Sequence, residues 1–161
     1  MEQQLDLSIW RDMNMVSVIR RFVEEVYEQV FDDIDTVSRI TLAAHELLEN
    51  AVKYSADGPA RIRVSLARGE ETDRVAISVS NRADPRNLAA LRALFNEMQQ
   101  VSDPLVHYQT LLRRNYRRKD GSGLGLARVQ AEGEMALTLE IDGDDQVCLC
   151  ATADFEGRRV S

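Results

Sequence analysis

Cysteine is scarce in this chain: Cys148 and Cys150 are its only two in 161 residues. That is too few for a disulfide framework, and the two lie too close along one stretch for an ordinary bridge, so they read as reduced core residues. No Cys-x-x-Cys pair and no Ser-His-Asp or Cys-His set is discernible, which leaves neither a zinc site nor a nucleophilic triad. Long apolar runs are missing as well. Nothing approaches the ~20 residues of a membrane span, so a soluble chain with no membrane partner is expected. The opening Met1-Glu2-Gln3-Gln4-Leu5-Asp6 lacks the basic and apolar regions of a secretory leader, and the expected location is cytoplasmic. Positive charge is short too: 20 Lys+Arg against 27 Asp+Glu give a net charge of −7. Phosphate backbones want a basic field, so nucleic acid is not expected as a partner. Arg113, Arg114, Arg117, Arg118 and Lys119 form a local exception. They suit either a solvated helix end or a set of phosphate or acidic-partner contacts.

What is present is an ordinary globular composition, expected to form a single domain over residues 1–161. Leu5, Leu7 and Ile9 alternate with polar residues, as in an edge strand with one buried face. From about Asp12 to Phe31 the apolar residues Met15, Ile19, Phe22, Val23, Val26 and Val30 recur at helical spacing. A second helix is expected from Ile34 to about Tyr54, with Asp33 or Asp35 as its N-cap and Asp57-Gly58-Pro59 as its stop. Two period-two runs, Ile62 to Leu66 and Val75 to Val79, form a hairpin whose intervening residues are polar, so only one sheet face is covered. Pro85 and Pro104 then each open a helix, the second running to about Arg118. A glycine loop leads into a helix ending near Gly133, and Met135 to Ile141 and Val147 to Phe155 return as strands. The predicted fold class is α+β: a two-layer sandwich with a mixed, mostly antiparallel sheet and helices on one face.

Two stretches carry candidate chemistry. In the second helix, Glu46, Asn50 and Lys53 fall within about 60° of one another, beside the apolar arc of Ile40, Ala44, Leu47, Leu48 and Ala51. Such a stripe is either a solvated helix face or one wall of a cleft. In the second stretch, Gly121, Gly123 and Gly125 precede a helix, where backbone amides and the helix dipole suit an anion; Gly123-Leu124-Gly125 is a candidate phosphate cradle. The same glycines also suit a plain connection needing positive φ. Taken together, Asn50 offers a hard oxygen for Mg²⁺, Glu46 can accept a proton and Lys53 can neutralise phosphate, a set suited to Mg-ATP.

At these residues the sequence resembles a known family. Glu46-Leu47-Leu48-Glu49-Asn50-Ala51-Val52-Lys53-Tyr54-Ser55 looks like the N-box of the histidine-kinase-like ATPases (the GHKL, or Bergerat-fold, superfamily), and Gly121-Ser122-Gly123-Leu124-Gly125-Leu126-Ala127 looks like their G2 box. The order along roughly residues 5 to 155 is similar to that of stand-alone anti-sigma-factor serine/threonine kinases. The resemblance implies ATP and Mg²⁺ as cofactors, with Asn50 as metal ligand, Glu46 as the base that activates a water or a partner's hydroxyl, and Lys53 on phosphate. Gly123 and Gly125 would line the phosphates and hinge the lid, with Asn81, Gly121 and Leu124 as further cofactor-binding residues. Implied partners are a small STAS-like antagonist, a sigma factor or a response regulator, and a homodimer through the first strand and helix. Where the family carries Asp-x-Gly-x-Gly for adenine, this chain has Asn81-Arg82-Ala83-Asp84-Pro85. Asn81 can still accept a hydrogen bond but has no charge, Ala83 adds a Cβ and Pro85 removes an amide. Asp84 is a substitute carboxylate only if the loop is rearranged. The alternative is therefore a degenerate, non-catalytic interaction module that has lost nucleotide. His45, beside Glu46, invites comparison with a phosphoacceptor histidine, but the companion dimerisation hairpin is absent; His107 reads as an ordinary half-buried residue.

Overall fold

A computed structural model describes residues 2–116 and 123–157 of the chain. Its five strands form one sheet in the order β1-β2-β3-β5-β4: β1 (Glu2–Ile9), β2 (Ser55–Ala67), β3 (Thr72–Ala83), β5 (Gln146–Glu156) and β4 (Ala136–Ile141). All four ladders are antiparallel. Register follows the period-two pattern. Leu5 pairs with Val64, Val64 with Ile77, Ile77 with Ala151 and Ala151 with Leu137, so one row crosses the sheet facing the helices. The next row, Asp6, Arg63, Ser78, Cys150 and Thr138, faces away, with Arg63 Nε donating to Asp6 Oδ1 at 2.7 Å. This register corrects the reading of the cysteines as core residues. Cys148 and Cys150 are free thiols, half-buried on the outer face of β5, because Val147, Leu149 and Ala151 take its inner face.

Helices α1 (Met13–Glu28) and α2 (Ile34–Tyr54) pack together, and α2 lies on the inner sheet face. Ile40, Ala43, Ala44, Leu47, Leu48 and Ala51 of α2 are essentially solvent-free, as the apolar arc requires. Asp33 caps α2 by accepting from Thr36 N at 2.9 Å and Thr36 Oγ1 at 2.6 Å. The stop comes earlier than Asp57-Gly58-Pro59. Backbone at Ser55 turns extended, its hydroxyl donates to the carbonyls of Asp57 and Gly58, and those residues lie in an irregular start of β2 where Gly58 takes φ 72°. Three further helices follow: α3 (Pro85–Gln100), α4 (Pro104–Asn115) and α5 (Leu124–Ala131). Each proline sits in the first turn behind an aspartate N-cap, Asp84 for α3 and Asp103 for α4. Helix α5 packs against both α2 and α4. Arg113 and Arg114 fill the last turn of α4, where cations suit the dipole, and Arg114 also donates to Glu97 at 2.8 Å. Gly121 and the remaining basic residues Arg117, Arg118 and Lys119 lie outside the described residues. His107 is more buried than expected, with Nε2 3.2 Å from Glu97 Oε1.

Candidate functional site

The second half of α2, the end of β3, one face of α3 and the start of α5 enclose a cavity of about 490 Å³, within the size range of ligand pockets. Its polar lining is Asn50, Lys53, Tyr54, Asn81 and Asn87, and its apolar lining is Ala83, Ala90, Leu91, Leu94 and Val147, with Gly123 at the rim. Among the described residues no carboxylate belongs to that lining. The lining therefore offers side-chain amides and an ammonium group together with apolar surface. That combination suits an anionic ligand carrying an aromatic body.

The helical stripe divides in the fold. Asn50 and Lys53 line the cavity, with Lys53 Nζ 5.3 Å from the centre of the Tyr54 ring, whereas Glu46 does not. Glu46 turns instead toward α5, where its Oε1 is 3.6 Å from Arg128 Nη1 and its side chain is only 15% exposed. Gly125 makes this possible, since a Cβ there would collide with the Glu46 carboxylate. Burial raises the Glu46 carboxyl above its ordinary value, opposed by His45 and Arg128 and reinforced by Glu49. An acid raised on folding holds more protons folded than unfolded, so it costs stability as pH rises from the ordinary glutamate range through the folded value. Glu46→Gln is accordingly expected to raise the urea midpoint at pH 7 and to leave it unchanged near pH 4.

Gly123 precedes α5 with φ 89°, a conformation that side chains disfavour, and among the described residues no side chain caps the helix there. The first amides of α5 consequently face the rim beside Gly123. Leu124 opens α5 half-buried and is not among the lining residues. Asn81 is buried at the end of β3, paired with Val147, and its Nδ2 donates to Arg82 O at 3.4 Å. Past Asn81 the strand simply continues. Ala83 pairs with Ser55 and donates its N–H to Asp145 O at 3.1 Å, and Asp84 then caps α3 through Arg86 N at 2.8 Å. Extended backbone needs no glycine at Ala83, and an N1 proline needs no amide at Pro85. Asp84 is exposed and committed to the cap, so the idea that it replaces a missing cavity carboxylate is corrected.

These residues fit a magnesium nucleotide: an Asn50 oxygen, a Lys53 ammonium, the first amides of α5 and apolar surface for a base. Among the described residues no group of three or more His, Cys, Asp or Glu could hold a metal alone, so such an ion would depend on phosphate oxygens for its remaining ligands.

The profile of the histidine kinase-like ATPase domain matches residues 9–132, and the chain belongs to that family. In its overall fold it is similar to a chain in the crystal structure of the SiaB-SiaC complex from Pseudomonas aeruginosa. The TM-score is 0.63 at 15% identity, over 94% of this chain and 89% of that one. No curated protein matches the sequence. Among the described residues no helix is long and apolar enough to cross a membrane.

Sequence reasoning assigned no site role to Asn87, Ala90, Leu91 or Leu94 of α3. Asn87, Ala90, Leu91 and Leu94 follow the i, i+3, i+4, i+7 pattern, which was a legible signal for a second face. It missed Arg128 altogether, whose partner lies on another helix.

Proposed function

We propose that the chain binds Mg-ATP in the 490 Å³ cavity and uses it to phosphorylate, or to bind in a nucleotide-dependent way, a small regulatory partner protein. One observation carries this reading: Asn50 and Lys53 of α2, Asn81 of β3 and Gly123 before α5, three segments far apart in sequence, converge on one cavity, and among the described residues no carboxylate lines it. In this reading Asn50 ligates the ion, Lys53 and the first amides of α5 hold phosphate, and Asn81 meets the base edge while Leu91, Leu94 and Val147 sandwich its faces. Magnesium, when bound, neutralises charge on the phosphates. Glu46 stands beside α5 rather than in the cavity lining, and in this reading it accepts, from that side of the glycine rim, the proton of the attacking water or partner hydroxyl, whose oxygen bonds the terminal phosphorus as the bond to the bridging oxygen breaks and ADP departs.

The kind of partner rests on the fold shared with a chain of the SiaB-SiaC complex, an assembly of two proteins; a STAS-like antagonist, a sigma factor or a response regulator is the class in view. A homodimer is part of the proposal. Met15, Val18, Phe22 and Val26 leave an exposed apolar stripe on α1, beside the edge strand β1, a surface that the sequence alone did not single out. Sedimentation at micromolar concentration reads that dimer. A cytoplasmic location and a single domain over 1–161 complete the reading.

A non-catalytic module is favoured by one feature, the continuation of β3 through Ala83 where glycines were expected. Titration calorimetry separates the two: millimolar Mg-ATP with no heat leaves only the module, whereas saturable binding followed by transfer of radiolabel to a partner supports the kinase. Asp84→Ala supplies a check on the adenine side. It is expected to cost about 1 kcal/mol of stability in urea through the lost cap, while nucleotide affinity stays unchanged.

A further inference from the structure

Arg128 stands one turn beyond Gly125 on α5, and both residues meet Glu46 of α2. Its guanidinium is held from two sides. Nε donates to Glu132 Oε2 at 2.7 Å within α5, and Nη1 lies 3.6 Å from Glu46 Oε1 across the helix pair. The other charged or titratable groups around this carboxylate are His45 and Glu49 on α2, themselves 3.4 Å apart, and Tyr108 on α4. Arg128 is the cation that α5 brings to Glu46. Without it, a carboxylate 15% exposed would face α5 with no positive partner there.

We propose that Arg128 is the positioning residue of the Glu46 carboxylate, anchored by Glu132, so that the placement of α5 behind the glycine rim sets where the base stands. The inference rests on the reading of Glu46 as base, and it adds a regulatory link. Whatever moves Gly123 and the first turn of α5 also moves the group that holds Glu46. Gly125 belongs to the same device, because only a residue without a side chain lets the carboxylate come this close to α5. Arg128 is itself 46% exposed and its pair with Glu132 lies at the surface, where a pair contributes little; the Glu46 contact differs because that carboxylate is only 15% exposed.

The test begins with the nucleotide-free chain in urea. Arg128→Met is expected to lower the unfolding midpoint, and to lower it by less than half as much in the Glu46→Gln background. Equal shifts in both backgrounds would overturn the proposal. With Mg-ATP, Arg128→Met is expected to keep the dissociation constant within about threefold while phosphate release from ATP falls about a hundredfold, the scale of a misplaced catalytic group, with partial rescue by Arg128→Lys. An affinity loss of tenfold or more would make Arg128 a nucleotide ligand and overturn the positioning role. Should the wild-type chain bind no nucleotide, the kinase reading fails while the urea comparison still decides whether Arg128 and Glu46 are coupled.

Discussion

Asn50→Ala is expected to weaken Mg-ATP binding about thirtyfold to a hundredfold, measured by titration calorimetry at fixed magnesium. The size follows from the interaction removed. An amide oxygen meeting a cation is a charge-assisted contact of about 2–3 kcal/mol, and each 1.4 kcal/mol is a factor of ten in affinity. Asn50 is half-buried on the cavity wall of α2, outside the apolar arc that packs on the sheet, so its loss opens no core void and the urea midpoint should barely move. Magnesium supplies the control. Chelation should weaken ATP binding by wild type and change the variant little, because the variant has already lost the protein's share of the metal interaction. A variant that binds ATP as tightly as wild type would remove Asn50 from the site.

Much of this site was legible because local rules wrote it. The interval of four and then three residues from Glu46 to Asn50 to Lys53 placed their backbone positions on one side of α2, and for Asn50 and Lys53 that was enough to bring both to the cavity. Glycine at 123 announced a backbone that other residues disfavour, and the structure gives it φ 89°. The strand pattern fixed which residues of β2 and β3 face the helices. The information that was missing belongs to contacts between segments distant in sequence. That Glu46 leaves the stripe's cavity for Arg128 depends on how closely α5 approaches α2, a distance set by Gly125 and by packing that involves neither charged residue. The continuation of β3 through Ala83 depends on a hydrogen bond to Asp145 in the β4–β5 turn, more than sixty residues away. The cysteines were misplaced for a related reason: Val-Cys-Leu-Cys-Ala is apolar throughout, and only the register against Ser78 and Ser80 of β3 shows which half of it faces out.

Gly123→Val is the substitution expected to injure both fold and site. At φ 89° a β-branched residue pays backbone strain of about 2–3 kcal/mol, which urea unfolding will read directly. The second effect is steric. A Cβ at this position comes 3.1 Å from Leu94 Cδ2, and Leu94 belongs to the apolar lining of the cavity, so valine methyls must displace Leu94 or occupy the space beside it. Either adjustment narrows the space proposed for the base, and Mg-ATP affinity should fall more than tenfold even under conditions where the chain remains folded. Adding Leu94→Ala distinguishes the causes. The smaller side chain relieves the crowding without touching φ, so the double variant should recover part of the affinity but none of the stability. If Gly123→Val is folded and binds nucleotide like wild type, the ligand does not lie between Gly123 and Leu94, and the assignment of this cavity falls with it.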